Sequence, residues 1–384
     1  MPSNTTSFQP HSGQPSKLFY IDNIKVLLTI LVILHHTLVT YGAPGGWYYT
    51  QKATHIGALL PMTLFVSINQ SFFMGSFFML SAYFTPPSYD RKGAGKFIAD
   101  RLIRLGIPLL FYSFIFSPLL SYMVYYFAQG RHITYFQYLG GYNNWIEFGV
   151  MWFVAALLVF TMIYVVTRRF IKTTFKSALP VPTAGVILLF AVLLGVISFL
   201  VRILFPVGWV LKPLGFQLGH FPQYIALFIV GLLAYRNQWF NTLSERTGKR
   251  LALSAWLCLL FFPVFFIIKL KLNMPIGWYS GGLHWQSLLY AVWEQWVGLS
   301  ILTALLSTGK RYWNSSSPLL GKLARCSYGV YILHPLAIIS LSLSVRTWSA
   351  DPAIKLLLVA PLAVLSSFLI GALFVLIPGV KKII

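Results

Sequence analysis

Lys25-Val-Leu-Leu-Thr-Ile-Leu-Val-Ile-Leu-His35-His36 lies inside the first long apolar segment of the chain, roughly residues 19–41. A cation stands near one end of a would-be membrane helix, and an imidazole pair closes the stretch. At ~1.5 Å rise per residue, a helix separates Lys25 from His36 by roughly 16 Å, about half the hydrocarbon thickness. Ionisable groups at membrane depth are costly, so by default they mark a site rather than a scaffold. The stretch predicts a membrane helix whose chemistry runs from one face of the bilayer towards its interior.

The rest of the chain agrees with that reading. Of its 384 residues 57% are hydrophobic and only 9% charged, and its mean hydropathy is +0.73, far from the balance of a soluble domain. Apolar segments near twenty residues run over 19–41, 59–85, 105–127, 148–167, 183–204, 220–238, 251–270, 286–307, 326–345 and 354–378. The expected fold is all-α, a polytopic integral membrane bundle of about ten transmembrane helices. Residues 1–18 are polar and read as a disordered cytoplasmic N-terminus, and 19–384 as one transmembrane domain. The first apolar run is too long for a signal peptide, holds Lys25 and two histidines, and lacks a small-residue cleavage site.

A net charge of +22 would suggest nucleic acid in a soluble protein. Here the Lys and Arg residues gather on one side of the predicted spans. Only Lys52, Arg131, Arg202, Lys212, Lys269, Lys271, Arg346 and Lys355 fall on the other side. That bias predicts an N-in, C-in orientation, with membrane lipids and not nucleic acid as partners. Cys258 and Cys326 stand alone in apolar segments, so neither a disulfide nor a metal site is expected.

The candidate chemistry begins with the histidine pair. Neighbouring helix residues point about 100° apart, so only one of His35 and His36 need face a given cavity. Neutral imidazole accepts a proton near neutral pH without a large pKa shift, which suits a general base; a hydrogen bond to a neighbouring helix explains a membrane histidine equally simply. Arg101 and Arg104, followed by Pro108, share one helix face at i and i+3 and suit phosphate oxygens, although ordinary positive-inside charge explains the same pair. Glu294, one of only seven acids, falls within the eighth span, placed either to orient a histidine or a substrate hydroxyl or to hold helices together. Tyr331 and His334 are i,i+3 neighbours beside Pro335 in the ninth span. Lys92-Gly-Ala-Gly-Lys96 is not a phosphate-binding P-loop, because Asp90 and Phe97 stand where Gly and Ser or Thr are required.

The order of these elements resembles the acyltransferase 3 family of integral-membrane acyltransferases. The resemblance rests on Asp22-x-x-Lys25, then His36, Phe77-Phe78-Met79-Leu80-Ser81-Ala82-Tyr83, Arg101-x-x-Arg104 with Pro108, Met151-Trp152-Phe153, and Ser327-Tyr328-Gly329-Val330-Tyr331-Ile332-Leu333-His334-Pro335. It covers essentially the whole chain from Asp22 onward. Three positions depart from the family pattern. Lys25 replaces the commoner Arg, keeping the charge and losing the bidentate fork; Ala82 replaces Gly; and His35 stands where an aromatic residue is common.

The resemblance implies an O-acyltransferase of the bacterial cytoplasmic (inner) membrane. It would move an acyl group, acetyl or succinyl, from cytoplasmic acyl-CoA to an extracytoplasmic carbohydrate or lipid-linked acceptor. His36 is the implied general base and His35 the lesser candidate; Glu294 stands beside them as a catalytic candidate on its mid-span position alone. Arg101, Arg104 and Lys25 would hold the nucleotide phosphates, with no metal required. Two other classes fit parts of the pattern. A transporter or flippase tolerates midplane charges and broken helices, but paired interruptions in the two halves are not visible here. A membrane-bound O-acyltransferase of the other class would use a late histidine such as His334 and leaves the two basic-residue motifs without a place.

Overall fold

The computed structural model describes residues 18–170 and 179–383. Residues 1–17 of the segment expected to be disordered, and Lys172 and Lys176, lie outside the described residues. Among the described residues, ten helices are long and apolar enough to cross a membrane. They are α1 (Phe19–Tyr41), α2 (Ile56–Tyr83), α3 (Thr85–Ala128), α4 (Gly149–Phe170), α5 (Ala184–Leu204), α6 (Leu218–Arg236), α7 (Glu245–Lys271), α8 (Trp285–Tyr312), α9 (Pro318–Ser344) and α10 (Pro352–Leu376).

Each apolar run in the sequence has become one helix, because lipid leaves backbone N–H and C=O groups no partner outside the segment. Several helices continue past the apolar run where a cap allows it. Ser244 Oγ accepts from Thr247 N at 3.1 Å to start α7, and Ser317 Oγ accepts from Leu320 N at 3.1 Å to start α9 eight residues before the hydropathy does. Pro318, at the first helical position of α9, has no N–H to leave unsatisfied.

The starts of α1 and α9 and the α6–α7 turn meet at one end of the bundle. Tyr20 donates from its hydroxyl to Phe240 O, and Asn23 Nδ2 donates to Trp313 O at 2.6 Å. This end also carries Lys25, Arg101 and Arg104 and is called the basic end below. Helix α1 packs between α2, α8, α9 and α10, while α5, α7 and α10 lie outermost and turn rows of Leu, Ile and Phe outward. Small residues set the tightest crossings. A Cβ on Gly298 of α8 would sit 1.9 Å from Ser71 O of α2, and one on Gly231 of α6 would sit 2.2 Å from Met79 O. With no hydrophobic drive between helices in lipid, such backbone approach is what brings α2 into the middle of the bundle.

Helix α3 is irregular. It breaks at Gly93 (φ 72°), and π-turns run over Leu102–Gly106, Tyr112–Phe116 and Val124–Ala128. Pro108 and Pro118 withhold the N–H groups that a regular helix would use, and each lies between two of these wider turns. Tyr328 of α9 donates to Arg104 O at 3.1 Å, the carbonyl that Pro108 leaves without its helical donor.

Candidate active site

The loop between α1 and α2 folds back over the end of α1. Gly42 turns the chain at φ 140°, a conformation that side chains rarely adopt. Gln51 N then donates to Thr40 O at 2.8 Å and Ala53 N to Tyr41 O at 3.0 Å. Lys355 of α10, itself buried, anchors the loop by donating to Gln51 Oε1 at 3.2 Å and to Arg346 O at 3.1 Å. The fold-back lays the Trp47 indole on His36, with ring centroids 4.2 Å apart and planes 16° from parallel.

At its ring edge His36 meets His334 of α9, whose ring also lies beside Trp47 with centroids 6.0 Å apart. The two imidazole centroids are 5.1 Å apart, and His36 Nδ1 lies 3.0 Å from His334 Nε2. His334 is fully enclosed, whereas His36 keeps part of its surface open. Pro335 provides no N–H for the carbonyl of Tyr331, four residues earlier, and His334 Nδ1 takes that place at 2.7 Å. Tyr331 in turn donates its hydroxyl to Val150 O, in the first turn of α4, and its ring packs near Phe77 and Phe153. The aromatic motif residues of α2, α4 and α9 therefore form the wall behind the histidines.

His35 faces away from this pair. It is buried, stacks on Phe73 of α2 at 5.0 Å, and its Nδ1 lies 3.3 Å from Asn69 Nδ2. Asn69 also donates to Leu31 O at 3.2 Å, so the amide ties α2 to α1 through the neighbour of His36.

At the basic end, Lys25 pairs with Asp22 at 3.5 Å and lies 4.7 Å over the Phe84 ring. Asp100 accepts from Arg104 Nε at 3.2 Å and meets Lys92 Nζ at 2.9 Å. Arg101 stacks on Phe97, and its Nε is buried without a hydrogen-bond partner. A π-turn runs over Leu102–Gly106, between the two arginines of the motif. Asp90 holds two further cations, Arg168 at 3.0 Å and Arg236 at 2.9 Å. Asp90, Asp100, Lys92, Arg168 and Arg236 were not singled out as site residues from the sequence; two of only seven acids falling in a basic stretch was the available signal.

A family model described as an acyltransferase domain matches residues 18–376. The chain belongs to this acyltransferase family. It is a membrane O-acyltransferase with, among the described residues, ten helices long and apolar enough to cross a membrane. Among curated proteins it is similar to glucans biosynthesis protein C of Escherichia coli O17:K52:H18, with 24% identity over 82% of this chain and 80% of that protein. The proteins of the same name from E. coli K12 and O157:H7 are 23% identical over the same shares. No solved structure matches the chain significantly.

Elsewhere in the acyltransferase, Glu294 joins a second buried cluster. It accepts from Arg202 of α5 and from Gln295 Nε2 at 3.3 Å, and lies 3.3 Å from His220 Nδ1. Arg202 also donates to Gly219 O at 3.0 Å, and Gln223 bridges Gln295 and Ser71 O at 2.8 and 2.7 Å. The cluster ties α2, α5, α6 and α8, and the histidine that Glu294 meets is His220 rather than the α1 pair. Arg202 is 0% and Lys355 1% exposed, so these two of the eight basic residues counted on the outer side are enclosed in the bundle. Among the described residues no group of His, Cys, Asp and Glu is placed to hold a metal ion.

Proposed function

We propose that the protein transfers an acyl group, acetyl or succinyl, from cytoplasmic acyl-CoA to a hydroxyl of an extracytoplasmic glycan or glycolipid. The basic end faces the cytoplasm of a bacterial inner membrane and both chain ends lie on that side, in keeping with the Lys and Arg bias. Arg101, Arg104 and Lys25 hold the CoA phosphates there, since planar guanidinium groups match phosphate oxygens. The roughly 16 Å from Lys25 to His36 leaves room for a thin pantetheine arm to bring the thioester towards the histidine pair.

His36 acts as general base. Its imidazole takes the proton of the acceptor hydroxyl as that oxygen attacks the thioester carbon. The C–S bond then breaks, and the proton passes to the departing CoA thiolate, so the imidazole ends neutral. The single observation that carries this reading is the contact of His36 with His334 under Trp47. It leaves one partly open histidine held on its face by the adjoining loop and at its edge by a helix 298 residues away in the chain. Glu294 serves the fold, holding four helices around this centre.

The test is transfer from labelled acetyl-CoA and succinyl-CoA by purified protein in vesicles, with envelope glycans inside, read by mass spectrometry of the product. Wild-type protein is expected to yield an acylated glycan and His36→Ala none above background. Full transfer by His36→Ala overturns the assignment.

A further inference from the structure

We propose that His334 is the positioning residue that makes His36 a base, by fixing which of its two ring nitrogens carries the proton. The argument rests on the proposed role of His36 and starts from Pro335. In a regular helix the N–H of residue 335 would donate to the carbonyl of Tyr331, and proline has none. A buried carbonyl in a membrane helix needs a donor. His334 Nδ1 is the group placed on it, at 2.7 Å, so Nδ1 carries a hydrogen. Neutral imidazole has one N–H and one lone pair, which makes His334 Nε2 an acceptor.

That acceptor lies 3.0 Å from His36 Nδ1. The proton of His36 is thereby drawn to Nδ1, and the lone pair is left on Nε2. The chain of direction is Tyr331 carbonyl, His334, His36, each step set by the one before. It applies the general rule that the hydrogen bond at one imidazole nitrogen decides the state of the other. His334, with no open surface, does not meet substrate. It can also share the positive charge while His36 holds the substrate proton, since its Nε2 stays hydrogen-bonded to His36 Nδ1–H.

His35 shows the opposite arrangement. Asn69 Nδ2 lies 3.3 Å from its Nδ1, and an amide NH₂ can only donate. His35 therefore accepts at Nδ1 and carries its proton on Nε2. Two adjacent histidines on α1 hold opposite tautomers because their neighbours differ.

Nitrogen-15 NMR of histidine-labelled full-length protein in nanodiscs reads tautomers directly, by separating pyrrole-type from pyridine-type ring nitrogens. His36, assigned from the spectrum of His36→Gln, is expected to show a protonated Nδ1 and a bare Nε2. In His334→Asn the amide still serves the Tyr331 carbonyl but is too short to reach His36. That variant should show mixed His36 tautomers and a kcat lowered at least tenfold, within the ~10²–10⁴ that a general base contributes, with KM for acyl-CoA within about twofold. A wild-type His36 protonated on Nε2 overturns the inference, as does His334→Asn with wild-type kcat. If His334→Asn does not fold, the wild-type spectrum still decides. Wild-type protein with the expected tautomer but no acyl transfer would instead remove the proposed function and leave the tautomer assignment standing.

Discussion

Trp47 and His36 are parallel partners: the indole covers one face of the imidazole at 4.2 Å, and the Trp47 Nε1 is buried without a hydrogen-bond partner. An aromatic pair of this kind contributes about 0.5–1.5 kcal/mol beyond its buried area, enough to hold a ring in one orientation. Trp47→Phe keeps a ring over His36 and is expected to stay within about threefold of wild-type kcat. Trp47→Ala removes the cover and is expected to lose roughly tenfold, following from the same stacking energy. Steady-state acyl transfer by the two variants in vesicles checks this, and a Trp47→Ala enzyme at wild-type rate would contradict it.

The basic end makes a separate prediction about donor binding. A hydrogen bond to a charged group is worth roughly 1.5–3 kcal/mol, so Arg101→Ala should weaken acyl-CoA binding by about ten- to a hundredfold by the same estimate. Acceptor affinity should not change. Arg101→Lys should recover only part, because the ammonium keeps the charge without the fork. Asp100 already occupies Arg104 and Lys92, so Asp100→Asn should tighten donor binding at low salt, with the gain fading as salt screens it. Equilibrium binding of a non-transferable acyl-CoA analogue to the detergent-solubilised protein measures all three. Unchanged affinity in Arg101→Ala would remove that residue from the donor site.

The architecture was legible because lipid imposes a length rule on each helix separately, and each helix obeyed it. His36 stood out as a candidate for the same reason, as an ionisable group in a segment that excludes them. Its partners did not. His334 is 298 residues away in the chain, and nothing local to either histidine announces the contact. Trp47 was indistinguishable from the aromatic residues that gather at any membrane interface, and only the fold-back at Gly42 separates it from them. The local helix at the arginines was not legible either: α-helical spacing was assumed there, while a π-turn runs over Leu102–Gly106, just ahead of Pro108. Arg202 was counted only as a charge on the outer side, although it falls inside the segment 183–204; its partner Glu294 is 92 residues away, so nothing local announced the pair.

Arg202 and Glu294 are 0% and 1% exposed, and their pairing distinguishes a structural from a catalytic role for the glutamate. Removing one member of a buried pair leaves the other charge without compensation and costs about 3–5 kcal/mol. Glu294→Gln should therefore lower the unfolding temperature sharply, and Arg202→Met should do the same. Replacing both with apolar residues of similar volume, Arg202→Met with Glu294→Leu, removes the uncompensated charge. The double variant should be more stable than either single one, although His220 then loses its carboxylate. Thermal unfolding in detergent, measured with acyl transfer on the same samples, separates the two roles. Loss of stability with transfer intact in the folded fraction fits a helix tie. A Glu294→Gln protein as stable as wild type but unable to transfer acyl groups would return Glu294 to the reaction.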